Sequence, residues 1–210
     1  MIAWQLEPRG IRDRAVLAAM RAVPREAFLP DRLRESAYAD HPLPIGDGQT
    51  ISQPYVVALT AQAARIRPGH RVLEVGTGSG YAAAVLGRLA DEVWTVERVP
   101  ELAAGAAEAL AATGAGNVHV VTGDGTRGLA EHAPYDAIVA AAAGPDVPPP
   151  WLEQLAAGGR IVMPLARGRS GQQLVRLTRR GLGDPDIEVL ESVRFVPLVG
   201  EHGWHDRGAT

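Results

Sequence analysis

The stretch Val72-Leu73-Glu74-Val75-Gly76-Thr77-Gly78-Ser79-Gly80-Tyr81 limits what this chain can fold into more than any other. Arg71 to Val75 is a short apolar run rich in branched side chains, the pattern of a buried strand. Gly76, Gly78 and Gly80 follow at alternate positions, and Tyr81 to Leu86 starts an apolar helical pattern. Strand, glycine turn and helix make the first unit of a nucleotide-binding α/β fold. Glycines let the chain turn sharply and let a ligand approach backbone that carries no Cβ.

The glycine spacing bears on which ligand. A dinucleotide fingerprint reads G-x-G-x-x-G and lays a pyrophosphate on the helix N-terminus. Here the third glycine comes one residue early, and Tyr81 stands where that pattern wants Gly or Ala. Glu74 adds a carboxylate just before the turn, which suits a ligand with a cationic end rather than a diphosphate. S-adenosylmethionine, with a sulfonium, an ammonium and no phosphate, fits. Val93 to Glu97 reads as a second strand ending in an acid 21 positions after Gly76. An acid there can accept hydrogen bonds from both ribose hydroxyls, a feature that NAD sites share. Asn117 to Val121 is a third strand, followed by Gly123-Asp124-Gly125. Glu74, Glu97 and Asp124 thus fall at three successive strand ends, on one rim of a parallel sheet. Each could be an ordinary strand-terminal acid; their recurrence in register with a glycine turn favours a ligand rim.

Composition narrows the function classes. A chain of 210 residues is enough for one α/β domain with a full core. The net charge of −3 gives no electrostatic case for nucleic acid. Cysteine is absent, which excludes disulfides, thiolate metal sites and a Cys nucleophile. Met1 to Gly10 has no apolar core of signal-peptide length, and no apolar run reaches the ~18 residues of a membrane span. The expectation is a soluble cytoplasmic monomer that binds neither nucleic acid nor membrane.

In chain order, Ile11 to Val23 has helical periodicity closed by Pro24. Residues 1–50 lack the strand-helix repeat found downstream and are read as an N-terminal helical cap over the ligand edge. Leu43 to Tyr55 is rich in Gly and Pro, with Ile45 and Ile51 as anchors and Thr50, Ser52 and Gln53 as hydrogen-bonding groups. Pro54 then opens a helix running to Ile66, so Ser52 is either an N-cap or a carboxylate-binding hydroxyl beside open N–H groups. Pro100 to Thr113 and Pro148 to Ala156 read as helices, and Tyr135 to Ala140 and Gly158 to Leu165 as strands. Gln172 to Thr178 and a segment within Ile187 to Leu198 close the series. The order β-α-β-α-β-α-β-α-β, with final strands lacking a helix between them, predicts a parallel sheet with antiparallel strands at its edge. Residues 51–200 form the cofactor-binding sheet and substrate edge, and 201–210 a flexible tail, within a single domain 1–210. His202 and His205 lie in that tail with no third ligand, so no metal site is expected.

Several segments together match a known family. They are Val23-Pro24-Arg25-Glu26-Ala27-Phe28, Tyr38-Ala39-Asp40, Pro44-Ile45-Gly46, Gln49-Thr50-Ile51-Ser52-Gln53-Pro54, the glycine stretch through Tyr81, Gly123-Asp124-Gly125, Pro134-Tyr135-Asp136-Ala137-Ile138 and Arg194-Phe195-Val196-Pro197-Leu198. Across roughly residues 10–200 the chain resembles the protein-L-isoaspartate O-methyltransferases; the Gln-Thr-Ile-Ser-Gln-Pro loop is the family-specific element. The resemblance implies a Rossmann-like, doubly wound α/β methyltransferase sheet of about seven strands with an N-terminal helical cap. It also implies an unusual order of the last two strands. Its implied substrate is the free α-carboxylate of L-isoaspartyl residues in damaged proteins or peptides, with D-aspartyl residues a poorer class. The methyl ester then collapses to a succinimide without the enzyme. Ser52 matches the family's active-site serine, and Thr50, Ile51, Gln53 and Gln172 its substrate side. Glu74, Gly76, Thr77, Gly78, Ser79, Glu97, Arg98, Asp124 and Gly125 match its S-adenosylmethionine side.

A carboxylate is already ionised at neutral pH, so its methylation needs no strong base, and the motifs contain no His/Asp pair to supply one. Positioning and exclusion of water are then the expected sources of rate. Three other readings compete: the same chemistry on a dedicated natural-product peptide, a dinucleotide oxidoreductase, and a non-catalytic S-adenosylmethionine-binding module. The departure from the family at Ala140 to Ala143 and Asp146 bears on peptide preference.

Overall fold

The computed structural model describes residues 1–168, 171–180 and 185–205. Two strands, β1 (Leu43–Gly46) and β2 (Gln49–Ile51), pair as a hairpin. Seven others build one sheet: β3 (Arg71–Val75), β4 (Glu92–Glu97), β5 (Val118–Thr122), β6 (Tyr135–Ala140), β7 (Leu155–Ala166), β8 (Gln172–Thr178) and β9 (Asp186–Val193). Their order is β5-β4-β3-β6-β7-β8-β9. β3 to β7 pair in parallel, while β8 runs antiparallel to both β7 and β9. The last three strands therefore form a simple meander, each beside its chain neighbour.

Side chains alternate across a strand, and on β3 this divides the molecule into two cores. Val72 joins a core beneath α2 (Pro54–Ala64) and α3 (Tyr81–Gly87), whereas Leu73 and Val75 join the opposite core. α1 (Arg14–Ala22) and α4 (Pro100–Ala112) lie on the first face, and α5 (Pro149–Gln154), carrying the fully buried Trp151, lies on the second.

The chain departs from its sequence reading in four places. α1 starts at Arg14, not Ile11, because the Asp13 carboxylate caps it, accepting from Ala15 N and Val16 N. Ile11 is a buried plug ahead of that cap. The helix expected between β5 and β6 is replaced by two single 3₁₀ turns, Gly125–Arg127 and Ala130–His132. Glycines at 123, 125 and 128 and Pro134 leave no uninterrupted stretch for a longer helix. The loop after Leu43 contains the β1–β2 hairpin, whose turn places Asp47 and Gly48 at φ 49° and 68°, the left-handed pair of a tight hairpin turn. The start of the tail read as flexible is held as far as Trp204: Trp204 N donates to Leu198 O and Trp204 Nε1 to Ala143 O. Residues 206–210 lie outside the described residues.

Residues 1–42 pack chiefly across α2 and α3 through Leu6, Ile11, Val16 and Met20. Only Arg9, Pro42 and the hairpin reach the cavity at the carboxyl edge of the sheet.

Candidate ligand site at the carboxyl edge

The strand order reverses between β3 and β6, the topological switch point where open α/β sheets place their ligands. A cavity of about 870 Å³ opens there. Its floor is the ends of β3, β4 and β6, namely Val75-Gly76, Val96-Glu97 and Ala141-Ala142. One wall is the loop with Thr50, Ser52 and Gln53; the other is Arg194 to Val199. The volume falls in the range of ordinary small-molecule pockets, at its larger end.

The glycine turn is tight. Gly76, Gly78 and Gly80 all have positive φ, and Gly80 N closes the turn onto Thr77 O at 2.8 Å. A Cβ on Gly78 would lie 3.4 Å from Ile45 Cδ1, so the hairpin sits directly against the turn. Glu97 fixes the turn from the next strand: Oε2 accepts from Gly78 N at 2.9 Å and Oε1 from Val99 N at 3.1 Å. Each carboxylate oxygen keeps a further lone pair, and Glu97 lines the cavity. Gly125 is required for packing, because a Cβ there would lie 2.4 Å from Val75 Cγ1. From behind, Trp151 Nε1 donates to Gly125 O at 2.9 Å.

On the opposite wall Ser52 lies just before the helix start. The residue at the cap position of α2 is Gln53, and no side chain caps that helix. Ser52 Oγ has no protein partner among the described residues, and Ser52 lines the cavity. The first-turn N–H groups of Tyr55 and Val56, both cavity residues, have no helical acceptor. Gln53 holds the loop to the N-terminal segment, Nε2 donating to Asp40 O at 2.9 Å. Gln172 lines the cavity, yet its amide is spent as a bracket: Nε2 donates to Phe195 O and Oε1 accepts from Phe195 N.

The large cavity gathers Thr50, Ser52, Gln53, Gly76, Gly78, Glu97, Arg98, Gly125 and Gln172. Ile51, Glu74, Thr77, Ser79 and Asp124 are not among the residues that line it. Ile51 is a buried anchor of the hairpin. Thr77 is buried, its hydroxyl 2.6 Å from that of Thr95, and Ser79 Oγ accepts weakly from Tyr81 N. Glu74 points to the α2/α3 face because it alternates with Val75. It is 1% exposed and borders a second, small cavity of about 30 Å³ shared with Ser52 and Thr60. Thr95 Oγ1 donates to Glu74 Oε2 at 2.6 Å. Burial pushes this carboxyl up to about 8; the Thr95 hydrogen bond opposes that and the nearby Glu97 reinforces it. The Asp124 carboxylate is engaged by Thr126 and Glu201 instead of facing the cavity.

The sequence reading did not single out Arg9, Tyr55, Glu191 and Arg194 to Val199 as cavity residues. The Arg9 guanidinium lies 3.4 Å over the Tyr55 ring and pairs with Asp40 at 3.1 Å. Burial and the neighbouring Glu191 raise the Tyr55 phenol, against the pull of Arg9. Tyr55 could have been found from its place directly after the Ser52 loop; Arg9 and Glu191 carry no local signal.

Comparison with known proteins matches this arrangement to one group. A family model described as protein-L-isoaspartate(D-aspartate) O-methyltransferase matches residues 1–203. The chain is 60% identical over 204 residues to protein-L-isoaspartate O-methyltransferase 1 of Rhodopseudomonas palustris strain HaA2, covering 97% of this chain and 83% of that one. It is 58% identical to protein-L-isoaspartate O-methyltransferase 2 of Pelobacter propionicus, covering 97% and 91%. Among solved structures, a protein-L-isoaspartate O-methyltransferase superposes with TM-score 0.86 at 30% identity, over 96% of this chain and 66% of that one. A Plasmodium falciparum protein assigned to the same class, solved with S-adenosyl-L-homocysteine, shares the fold at TM-score 0.80 and 24% identity, over 94% and 96%.

Proposed function

The chain belongs to the protein-L-isoaspartate(D-aspartate) O-methyltransferase family, and from that premise we propose that it methylates the free α-carboxylate of L-isoaspartyl residues in damaged proteins and peptides, using S-adenosylmethionine. The observation that carries the reading is one cavity whose floor and whose Ser52 wall are chemically distinct. Glu97, Gly76, Gly78 and Gly125 offer a hydrogen-bond acceptor and close backbone approach; Ser52 and the open N–H groups of α2 offer donors to an anion.

The residues fit the cofactor. Glu97 is an acceptor for a ribose diol, Val75, Val96 and Leu198 are apolar surface for a flat base, and Arg98 lines the same end. When bound, S-adenosylmethionine would supply a sulfonium methyl for in-line transfer to a carboxylate oxygen, the S–CH3 bond breaking to leave S-adenosylhomocysteine. This chain's residues supply placement. Ser52 Oγ donates to the isoaspartyl carboxylate, and the N–H groups of Tyr55 and Val56 hold its charge at the positive end of α2. Gln53 and Gln172 keep the two walls in register by holding Asp40 and Phe195. No group in the cavity need take a proton, since the nucleophile is ionised at pH 7. The ester leaves, and in solution the following backbone nitrogen attacks its carbonyl and expels methanol to give a succinimide, which water opens to return some normal aspartate.

The relatives at 58–60% identity are named for isoaspartate, which favours general repair over natural-product maturation. The cavity is closed by elements of a single chain, and we take the acting unit to be a monomer. No helix among the described residues is long and apolar enough to cross a membrane; we place the activity in the cytoplasm, with the ageing proteins it would repair.

The test is methyl transfer from labelled S-adenosylmethionine to two peptides differing only in L-isoaspartate against L-aspartate, repeated in unrelated flanking sequences. Base-labile label on every isoaspartyl peptide alone is expected. Label on one flanking sequence only would replace repair with a dedicated substrate.

A further inference from the structure

The C-terminal segment after the cavity wall folds into a hook. Leu198 and Val199 line the cavity. Beyond them the chain turns back: Gly203 N donates to Gly200 O, Gly200 N to Trp204 O, and Trp204 N to Leu198 O at 2.7 Å. The Trp204 indole N–H then shares Ala143 O with Leu198 N, joining the hook to the end of β6. Its far side lies on the turn after β5. Asp124 Oδ2 accepts from Glu201 N at 2.8 Å, while Oδ1 accepts from Thr126 N and Thr126 Oγ1. Thr126 Oγ1 in turn accepts from His202 N at 3.1 Å.

The two glycines are dictated by this contact. A Cβ on Gly200 would lie 2.1 Å from Asp124 Oδ1, and one on Gly203 would lie 2.2 Å from Leu198 O. Asp124 is therefore committed to the hook, while its neighbour Gly125 forms the cavity surface. Burial works to raise the Asp124 carboxyl, but the hydrogen bonds from Glu201 and Thr126 and the charge of Arg127 outweigh it and hold the group below the ordinary aspartate range.

We infer that Asp124 is a positioning residue: it latches residues 198–204 against the β5 turn, so that Leu198 and Val199 complete the wall on the cofactor side of the cavity. The inference rests on the cofactor assignment above. The latch joins the ends of β5 and β6 through a segment that follows the last strand. Without it, the hook keeps the weaker ties of His202 N to Thr126 Oγ1 and of Arg127 to Glu201 at 3.7 Å, and the Val196–Val199 wall keeps its pairing with Ala143.

Three variants test this, with binding of S-adenosyl-L-homocysteine read by calorimetry. D124N keeps the size of the side chain but turns an N–H toward Glu201 N. G203A springs the hook from its other side without touching Asp124. The third is the double variant. Each single change should weaken binding about tenfold, and the double change should remain near tenfold, because both break the same latch. Amide exchange at Glu201 and His202 should quicken in all three, and the KM for peptide should change less than the affinity for S-adenosyl-L-homocysteine. An additive loss near a hundredfold would overturn the latch and make Asp124 a direct cofactor contact. So would unchanged affinity in G203A with quickened exchange. If the unmodified protein failed to bind S-adenosyl-L-homocysteine, the cofactor assignment would fall instead. Should D124N not fold, W204F, which loses the indole N–H bond to Ala143 O together with one ring of the side chain, takes its place in the same cycle.

Discussion

Replacing Glu74 with Gln probes the most strongly shifted acid among the described residues. Glu74 is 1% exposed, and its carboxyl is pushed up to about 8 from an ordinary 4.5. Between those values the folded chain keeps a proton that the unfolded chain gives up. Folded protein then binds more protons than unfolded, so the stability contribution falls as pH rises from 4.5 towards 8. At roughly 1.4 kcal/mol per pH unit the gap caps the loss at about 5 kcal/mol. Water entering the adjoining 30 Å³ cavity would relieve part of it. Gln has the shape of the protonated acid and can still accept from Thr95 Oγ1, so E74Q removes the pH-dependent loss while leaving the packing in place. We expect E74Q and the unmodified protein to melt together near pH 5 and to separate by about 5–15 °C near pH 8.5, with E74Q the more stable. Parallel melting curves across that range would refute the reasoning. The same variant separates two roles for this residue. If Glu74 acts within the core, affinity for S-adenosyl-L-homocysteine stays within about threefold; if its charge holds the ligand's ammonium, affinity drops tenfold or more.

S52A should lower kcat/KM for an isoaspartyl peptide by about ten- to a hundredfold, the worth of one hydrogen bond to a charged acceptor, and leave S-adenosyl-L-homocysteine affinity unchanged. Undiminished turnover would remove Ser52 from the mechanism. E97A should weaken S-adenosyl-L-homocysteine about a hundredfold by removing two charge-assisted bonds to the ribose, so equal dissociation constants in calorimetry would sink that assignment. G125A puts a methyl 2.4 Å from Val75 Cγ1. It should cost about 1–3 kcal/mol in urea unfolding and narrow the floor of the cavity; a neutral result would mean that Val75 has room to move.

Local signals made the central unit legible. Arg71 to Tyr81 encodes strand, turn and helix within eleven residues, and the structure places β3, the glycine turn and α3 there. Glu97 was legible for the same reason: the acid that ends β4 reaches one strand across, to Gly78 N, through a register that the βαβ unit imposes. Glu74 shows the limit of that logic. A carboxylate just before the turn reads as a rim acid, but position in the chain does not specify the face. Period-two alternation sends Val75 to one core and Glu74 to the other, where α2 buries it.

The remaining features depend on contacts between distant positions that no window contains. Arg9 meets Tyr55 and Asp40, and Asp124 meets Glu201, 77 positions later. The tail read as polar and loose because its residues are polar and small. Yet Gly200 and Gly203 are small so that carboxylate and carbonyl oxygens can sit where a Cβ would otherwise be. Their spacing has no meaning until the partner oxygens of Asp124 and Leu198 are known. The glycines of the turn after β3 escape this ambiguity because the strand before them and the helix after them fix which backbone must be approached. Closing the cavity therefore falls to residues 43–55 and 194–204, whose placement opposite one another no local window sets. Substitutions there should alter ligand retention more than the stability of the sheet, since none of the five parallel strands β3 to β7 passes through either segment.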